Sequence, residues 1–201
     1  MLDKSPEWVL DNELIHVQNE FEKNIPSIVL CSEPFHKAEF LNRLISCIDY
    51  SIVFVDMDLL YTGYVESGMI KKSDNVIIFH PEKTSWEKEL SKIITKISKE
   101  RFLVVIDSFN GVYNMFDDLE SIRFVNSCIM FLSSIARETN SSVIVTAMAR
   151  KKEDNWVVSP GGKQIMKSTK TGVYFLKKME KNLIITTENK INEKSKIFKI
   201  E

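Results

Sequence analysis

Apolar residues occur along this chain in short continuous runs that alternate with longer patterns of helical spacing. The runs cover 27–31, 51–56, 75–80, 102–107 and 142–146, and their β-branched content is typical of strands buried on both faces of a sheet. Between them, apolar residues recur at helical spacing over 37–48, 84–97 and 117–138. This alternation predicts an α/β fold with a mostly parallel, twisted sheet flanked by helices.

The two ends of the chain depart from this pattern. Ser5, Pro6 and Glu7 carry the signals of a helix start, and this helix is predicted to run to about residue 21, with an apolar side made of Trp8, Val9, Ile15 and Phe21. At the carboxyl end, 171–177, 182–187 and 196–200 are predicted strands that short polar links join into an antiparallel meander. We therefore expect an N-terminal helix within 1–24 and a single core domain over 25–201.

Polar stretches predict the connections between these elements. Loops are expected at 32–36 and 111–116, and a long polar loop at 148–162 is expected before a short helix at 163–168. Thr84 with Glu87, and Asp117 with Glu120, have the spacing of a capping box, so each pair is predicted to begin a helix.

Composition excludes several classes of protein. The chain has 201 residues, 44% hydrophobic and 27% charged, as in an ordinary globular protein. A net charge of −1 gives no strong overall attraction to nucleic acid or membrane, so any nucleic-acid site has to be a local patch. We find no apolar run as long as a membrane span, and the amino terminus is too acidic for a targeting peptide. The three cysteines lie in apolar segments and fit reduced thiols, which favours a cytoplasmic protein, or a nuclear one in a eukaryote.

Acidic residues stand where the predicted strands end. Asp107 closes the most apolar run, and Asp56 and Asp58 close another. In nucleotide-hydrolysing folds an acid at such a strand end orients the Mg²⁺ that bridges the phosphates, and the alternative for Asp107 is a cap on the next turn. Asp56 and Asp58 are interpreted as loop or cap residues. The three histidines lie far apart without ligand spacing, so no metal site is predicted.

The order of these segments resembles the RecA/RadA recombinase family. Val-Phe-Val-Asp-Met-Asp over 53–58 is similar to that family's strand ending in Asp-x-Glu, and 104–108 is similar to its metal-site strand. The segment 143–146 resembles the strand before the family's second DNA loop, and 159–169 with 173–178 resembles the segment after that loop. The resemblance implies a RecA-like core in which Lys37, Asp58 and Asp107 hold the positions of the nucleotide site.

Several residues depart from the family pattern in ways that argue against ATP turnover. Cys31 and His36 replace the glycines that let backbone N–H groups turn inward around phosphates, and Ala38 has no oxygen for Mg²⁺. Asp58 is shorter than the family's water-activating glutamate, and Met148 stands where the family has a phosphate-sensing glutamine. We therefore predict a protein that is not an enzyme and needs no cofactor, with ATP and Mg²⁺ as the alternative.

Within this vestigial site, Lys37 is interpreted as a solvated lysine in the first helical turn, and the alternative is a phosphate ligand. Asp58 and Asp107 are likewise predicted to be vestigial nucleotide-binding residues.

Basic residues cluster in the predicted 148–163 loop. They are Arg150, Lys151, Lys152 and Lys163, and Trp156 lies among them. Lysine and arginine neutralise phosphates and a tryptophan can stack on a base, and in the resembling family the matching loop faces single-stranded DNA. The alternatives are a solvated basic loop and a Trp156 that anchors this loop to the domain.

These features are compatible with three functions. The first is a non-catalytic recombinase paralogue that assists homologous recombination and repair by binding recombinase subunits, single-stranded DNA, or both. The second is a divergent ATPase, from the same superfamily or its circadian-regulator branch, that still binds nucleotide. The third is a scaffold protein on the same fold that binds no DNA, which the near-neutral net charge favours.

Overall fold

A computed structural model describes residues 12–116, 118–153, 155–187 and 195–200, and it describes only the backbone of Asn12, Lys151 and Asn155. The predicted start of the N-terminal helix at Ser5, with Trp8 and Val9, lies outside these residues. Within them the helix begins at Asn12 and ends at Lys23, before the predicted break at 24–26. Its buried side is formed by Leu14, Val17 and Phe21, while Ile15 is only half-buried.

The centre of the fold is a mixed sheet with the strand order β3-β2-β4-β5-β1-β7-β8-β9. Neighbours from β3 to β7 are parallel, whereas β7, β8 and β9 run antiparallel, and β6 pairs only with β5. This arrangement confirms the predicted α/β class, the mostly parallel sheet and the antiparallel meander at the carboxyl end. The strands are β1 (Ser27–Cys31), β2 (Ser51–Asp56), β3 (Val76–Phe79), β4 (Phe102–Asp107), β5 (Ser142–Lys152), β6 (Asn155–Val158), β7 (Gly172–Met179), β8 (Asn182–Thr187) and β9 (Ile197–Ile200).

Helices cover both faces of this sheet. One hydrophobic core is formed with α4, α5 and α6, and the other with α1, α2 and α3. The helices are α1 (Asn12–Lys23), α2 (Pro34–Ser46), α3 (Leu60–Glu66), α4 (Trp86–Ile97), α5 (Phe109–Met115) and α6 (Leu119–Glu138).

The central strand β4 shows why a continuous apolar run forms here. Val104 and Ile106 face one core, and Leu103 and Val105 face the other. Because successive side chains point to opposite faces and both faces are buried, every position of the strand has to be apolar. Burying each such side chain stabilises the fold by roughly 1.5–3 kcal/mol. A polar residue is therefore tolerated only at the end of the strand, where Asp107 lies.

Helix α6 is long and apolar enough to cross a membrane on length and composition alone. No such segment was expected from the sequence, because the polar residues of this helix interrupt its apolar run. In the structure α6 packs against β5 and α4, and 44% of its most apolar window is buried. Its apolar side is buried by the sheet, as in the core helix of a globular domain, so its length and composition are only weak evidence for a membrane span.

Two of the predicted loops are helical in the structure. Helix α2 begins at Pro34 and ends at Ser46, so the predicted loop at 32–36 is reduced to Ser32 and Glu33. The loop predicted at 111–116 is mostly α5, in which Gly111 packs so closely on the backbone of Met57 that an added Cβ would lie 2.7 Å from its carbonyl oxygen. The glycine that suggests a loop is used instead for a close approach between two elements.

The prediction of a long polar loop at 148–162 is wrong. Strand β5 continues to Lys152 and turns into β6, and the two strands pair as an antiparallel hairpin, with Ala149 opposite Val158. The prediction of a helix at 163–168 is also wrong, because only a short 3₁₀ turn forms there, at Gly162–Gln164.

The capping residues are shifted by one position. Helix α4 begins after Ser85 and has no side-chain cap, so Thr84 does not form the predicted capping box. The cap of α6 is Asp118, whose carboxylate accepts a hydrogen bond from the backbone N–H of Ser121 at 2.7 Å, while Asp117 lies outside the described residues.

Candidate functional site: a buried lysine between strand-end carboxylates

The carboxyl ends of β2 and β4 and the middle of β5 meet the first turn of α2 at one place. Lys37 of α2 lies with its Nζ 2.6 Å from Oδ1 of Asp107 and 3.4 Å from Oδ2 of Asp58. The side chains of Lys37 and Asp107 are completely buried, and that of Asp58 is 21% exposed. The structure thus brings together all three residues predicted for the vestigial nucleotide site.

The interpretation of Lys37 as a solvated lysine is wrong. Helix α2 begins before Lys37, and the buried face of the helix includes Lys37 together with Phe40, Leu41 and Leu44. The spacing from 37 to 41 and 44 is that of one helical face, so the lysine side chain is directed at the sheet instead of at water.

Two hydroxyl groups extend this buried network. Oδ1 of Asp107 also accepts a short hydrogen bond from Oγ1 of Thr146 in the middle of the neighbouring strand β5. Oδ2 of Asp58 accepts a hydrogen bond from Oγ of Ser108 at 2.8 Å. Ser108 follows Asp107 through a cis peptide bond. Asp107 therefore does not cap the next turn, which was the alternative role for it.

Asp56 and Asp58 have the loop and cap roles predicted for them. Oδ2 of Asp56 accepts hydrogen bonds from the backbone N–H and the hydroxyl of Thr62, at 2.8 and 2.7 Å, and so satisfies the first turn of α3. Oδ1 of Asp58 accepts one from the N–H of Leu60 at 3.3 Å.

The charges in this network control each other's ionisation. Burial by itself would lower the pKa of Lys37, but the carboxylates of Asp107 and Asp58 outweigh burial and raise it, so the ammonium stays charged. Burial raises the pKa of Asp107, and the Lys37 ammonium offsets this only in part. Burial likewise raises the pKa of the Cys31 thiol to about 12. Removal of the lysine would therefore leave a buried carboxylate without its counter-charge.

The residues do not fit a nucleoside triphosphate with its Mg²⁺. Only Ser32 and Glu33 connect β1 to α2, which leaves no loop of backbone N–H groups around a phosphate. The N–H of Lys37 already donates to the carbonyl of Glu33 at 3.1 Å, and Pro34 has none to give. The ammonium that would contact phosphate is held instead by Asp107 and Asp58.

The carboxylates alone form a group that suits a divalent cation by donor type. Ligand oxygens of Asp56, Asp58 and Asp107 lie within 4.8 Å of one another, a cluster that the spacing of the histidines along the sequence does not indicate. Among the described residues, buried Oδ1 of Asp56 and Oδ2 of Asp107 have no hydrogen-bond partner. The Lys37 ammonium already supplies positive charge beside this group, and that charge would repel a metal ion.

The second predicted site lies on the β5–β6 hairpin and on the 3₁₀ turn at Gly162–Gln164 that follows it. The side chains of Arg150, Lys152 and Lys163 are exposed there, and that of Lys151 is outside the described set. Arg150 and Lys163 line the same cleft of about 460 Å³, next to Ser32. The structure therefore brings together these two basic residues of the predicted DNA site.

Trp156 is not free to stack on a base with both faces. Its ring lies parallel to that of Phe175, with centroids 5.2 Å apart and an angle of 17° between the planes. This half-buried indole packs against the core and anchors β6 to β7, as in the alternative interpretation of Trp156.

Two asparagines that the sequence pattern did not single out hold this region in place. Asn110 accepts a hydrogen bond from the N–H of Met148 at 2.8 Å and donates one to Oγ of Ser159 at 2.8 Å. Asn126 donates to the carbonyl of Gln164 at 2.9 Å and accepts from the N–H of Met166 at 2.7 Å. The signal for Asn126 was present, because it is a polar residue on the apolar face of α6.

Comparisons with known proteins identify the fold. No protein-family model matches the chain, and no curated protein sequence matches it. Among solved structures, a RadB recombinase superposes with a TM-score of 0.56 at 18% identity over 88% of this chain and 87% of that one. A second solved structure, described as an ATPase domain, gives 0.57 at 11% identity over 96% of this chain and 95% of that one.

A DnaB-like replicative helicase, in a structure that concerns its interactions with primase, gives a TM-score of 0.59 at 10% identity over 89% of this chain. The match covers 56% of the helicase chain. These likenesses show that the chain has a RecA-like fold, which confirms the fold predicted from the order of its strand-end motifs. At these identities the likeness concerns the fold alone.

Proposed function

We propose that this protein is a non-catalytic RecA-like module, a pseudo-ATPase that assists recombinase assembly in homologous recombination and DNA repair. It acts by binding recombinase subunits, single-stranded DNA, or both, and it does not turn over ATP. The observation that carries the proposal is the buried ion pair of Lys37 with Asp107, which consumes the side chain that would otherwise contact phosphate.

Nucleotide binding in the usual position would have to break this ion pair. Removing one partner from a buried pair costs about 3–5 kcal/mol, which corresponds to roughly two to four orders of magnitude in affinity. The connection through Ser32 and Glu33 offers few N–H groups in return, and Glu33 adds a negative charge near the phosphates.

Thermal unfolding with and without ATP and Mg²⁺ tests the loss of nucleotide binding. A ligand at 100 times its Kd stabilises the native state by about 2.7 kcal/mol, so millimolar nucleotide would raise the Tm visibly even at a Kd of tens of micromolar. We expect no rise. A rise that the Asp107→Asn variant abolishes would contradict the proposal and favour a working nucleotide site.

Exposed basic residues on the hairpin support contact with single-stranded DNA. Arg150, Lys152 and Lys163 face solvent on the edge of the sheet where the strands end. Because Trp156 is stacked on Phe175, this contact rests on charge rather than on base stacking. The Arg150→Glu, Lys152→Glu variant is expected to bind a fluorescent oligonucleotide more weakly than the wild type. Unchanged binding would favour the alternative function, a scaffold protein that does not bind DNA.

Exposed apolar residues beside Asp58 support contact with a protein partner. Leu59 is 59% exposed and has a left-handed backbone, with φ of 59°, and Leu60 is 37% exposed. Leu59 and Leu60 are adjacent in sequence, and contiguous exposed apolar patches mark sites of protein–protein interaction. Co-elution with the purified recombinase from the same organism, and its loss in Leu59→Ser, tests this part of the proposal.

A second candidate, a divergent ATPase, has one observation in its favour. The unpartnered oxygens of Asp56 and Asp107 are available for a cation if Lys37 moves away. A measurable ATPase rate that Asp107→Asn abolishes would identify this function.

A further inference from the structure

A large cleft lies at the amino ends of the parallel strands, at the opposite end of the sheet from Lys37. It has a volume of about 1210 Å³ and is lined by residues just before the strands begin, among them Ile25 before β1, Arg101 before β4 and Lys170 before β7. We call it the basal cleft. It shares no residue with the buried ion pair or with the hairpin.

Positive charge is concentrated in the basal cleft. Its lining includes five basic side chains against two carboxylates, those of Glu20 and Glu22, whereas the whole chain has a net charge of −1. The local excess is therefore opposite in sign to the protein as a whole. The basic residues are Lys23, Arg101, Arg137, Lys170 and Lys196.

The two arginines of the cleft are fixed before any ligand binds. Arg101 lies 2.6 Å from Glu22, donates to the carbonyl of Asn140 at 2.9 Å, and stacks over the ring of Tyr50 at 4.1 Å. Arg137 donates to the carbonyl of Ile25 at 3.0 Å. A guanidinium held in this way loses little entropy when it binds an oxyanion.

The two lysines that remain are available for a ligand. Lys23 and Lys170 are exposed, and within the described ranges neither forms an ion pair. Lys196, by contrast, is paired with Glu20 at 2.8 Å. The cleft thus carries uncompensated positive charge at its mouth.

We infer that the basal cleft binds the sugar-phosphate backbone of a nucleic-acid strand. A protein partner is disfavoured because the lining offers few apolar anchors: Ile25 and Ala136 are buried and Phe198 is half-buried. A protein interface needs such anchors at its centre. Interfaces with nucleic acid are instead polar and strongly positive. The volume also exceeds the roughly 300–1,000 Å³ of small-molecule sites, which suits several linked nucleotides.

The test is binding of the full chain to a fluorescein-labelled oligothymidylate, measured by anisotropy over a range of salt concentrations. Lys23→Glu with Lys170→Glu is expected to weaken binding at least tenfold. It is also expected to reduce the salt slope by about 1.4, because each phosphate contact on a single strand contributes about 0.7. Lys72→Glu with Lys88→Glu is the matched control, since these exposed lysines lie outside the cleft and change the net charge equally.

Two results would overturn the inference. The first is that Lys23→Glu with Lys170→Glu binds the oligonucleotide as tightly as the wild type, or no more weakly than the control variant. A wild-type protein that does not bind the oligonucleotide also contradicts the inference. The other is competition by inorganic phosphate at the same phosphate concentration as the oligonucleotide, which would make the cleft a simple anion site. The Lys23→Gln, Lys170→Gln variant repeats the measurement if the charge reversal does not fold. The hairpin variant Arg150→Glu, Lys152→Glu is measured separately, so failure at one face is distinguishable from failure at the other.

Discussion

Replacing Lys37 by methionine is the most direct perturbation of the buried network. Methionine has a similar length and preserves much of the packing, but it removes the ammonium 2.6 Å from Asp107. The carboxylate then remains completely buried without a counter-charge. Breaking a buried pair in this way costs about 3–5 kcal/mol, so we expect the free energy of unfolding of Lys37→Met to fall by that amount.

The assay is urea unfolding followed by circular dichroism, with Lys88→Met as the control. Lys88 is an exposed lysine of α4, and its replacement is expected to change stability by less than about 0.5 kcal/mol. For a chain of this length, each 1 kcal/mol lowers the Tm by about 2–4 °C, so Lys37→Met should lose roughly 6–20 °C.

The pH dependence of the same variant gives an independent check. Without the ammonium, the pKa of Asp107 in the folded protein rises further above its value in the unfolded chain. The folded state then binds a proton more readily than the unfolded state, so the deficit of Lys37→Met shrinks as the pH falls through that folded pKa. The double variant Lys37→Met, Asp107→Asn should likewise recover most of the loss. A single variant within 1 kcal/mol of the wild type at pH 7 would refute the ion pair as described.

Three further predictions concern other parts of the molecule. The pKa of Cys31 is raised by burial to about 12, so the folded state keeps a proton that the unfolded thiol loses above its ordinary value of 9.0. The buried thiol therefore contributes stability that is fully present below pH 9 and declines by about 1.4 kcal/mol per pH unit above it. In Cys31→Ala, the decrease in the free energy of unfolding with pH above 9 should be smaller by this amount. An unchanged dependence on pH would contradict the raised pKa of Cys31. Asn126→Ala leaves backbone groups at Gln164 and Met166 without partners, so it should destabilise by about 2–3 kcal/mol and speed hydrogen exchange at the Met166 amide. Trp156→Ala loses the stack on Phe175 and should destabilise by about 2 kcal/mol, yet oligonucleotide affinity should be unchanged; a large loss of affinity in a folded variant would restore a stacking role.

The sheet could be predicted from the sequence because its signals are local and strong. Runs such as 102–107 are apolar at every position before the final acid, which only a strand buried on both faces requires, and the structure has β4 over those residues. The change from helix-separated strands to closely spaced ones predicted the antiparallel end correctly. The hairpin was missed because the polar residues of β5 beyond Thr146 lie in a part of the strand that leaves the core.

The sequence predicted which residues form the candidate site, but it did not predict that Lys37 is buried. The strand-end positions of Asp58 and Asp107 follow from the parallel topology, so their proximity could be anticipated. The burial of Lys37 depends on where α2 begins, and Pro34 as its first residue was interpreted as part of a loop. The network with Ser108 and Thr146 joins residues far apart along the chain, and such contacts leave no local pattern.

The short connection through Ser32 and Glu33 has a consequence for how such a protein could be regulated. A bound nucleotide can be cleaved or exchanged, and its occupancy follows the supply of ATP in the cell. The Lys37 ammonium that pairs with Asp107 is, by contrast, part of the polypeptide and can be neither hydrolysed nor released. Under the proposed function, the shape of this core does not depend on cellular energy status, and the amounts of the protein and of its partners set its activity.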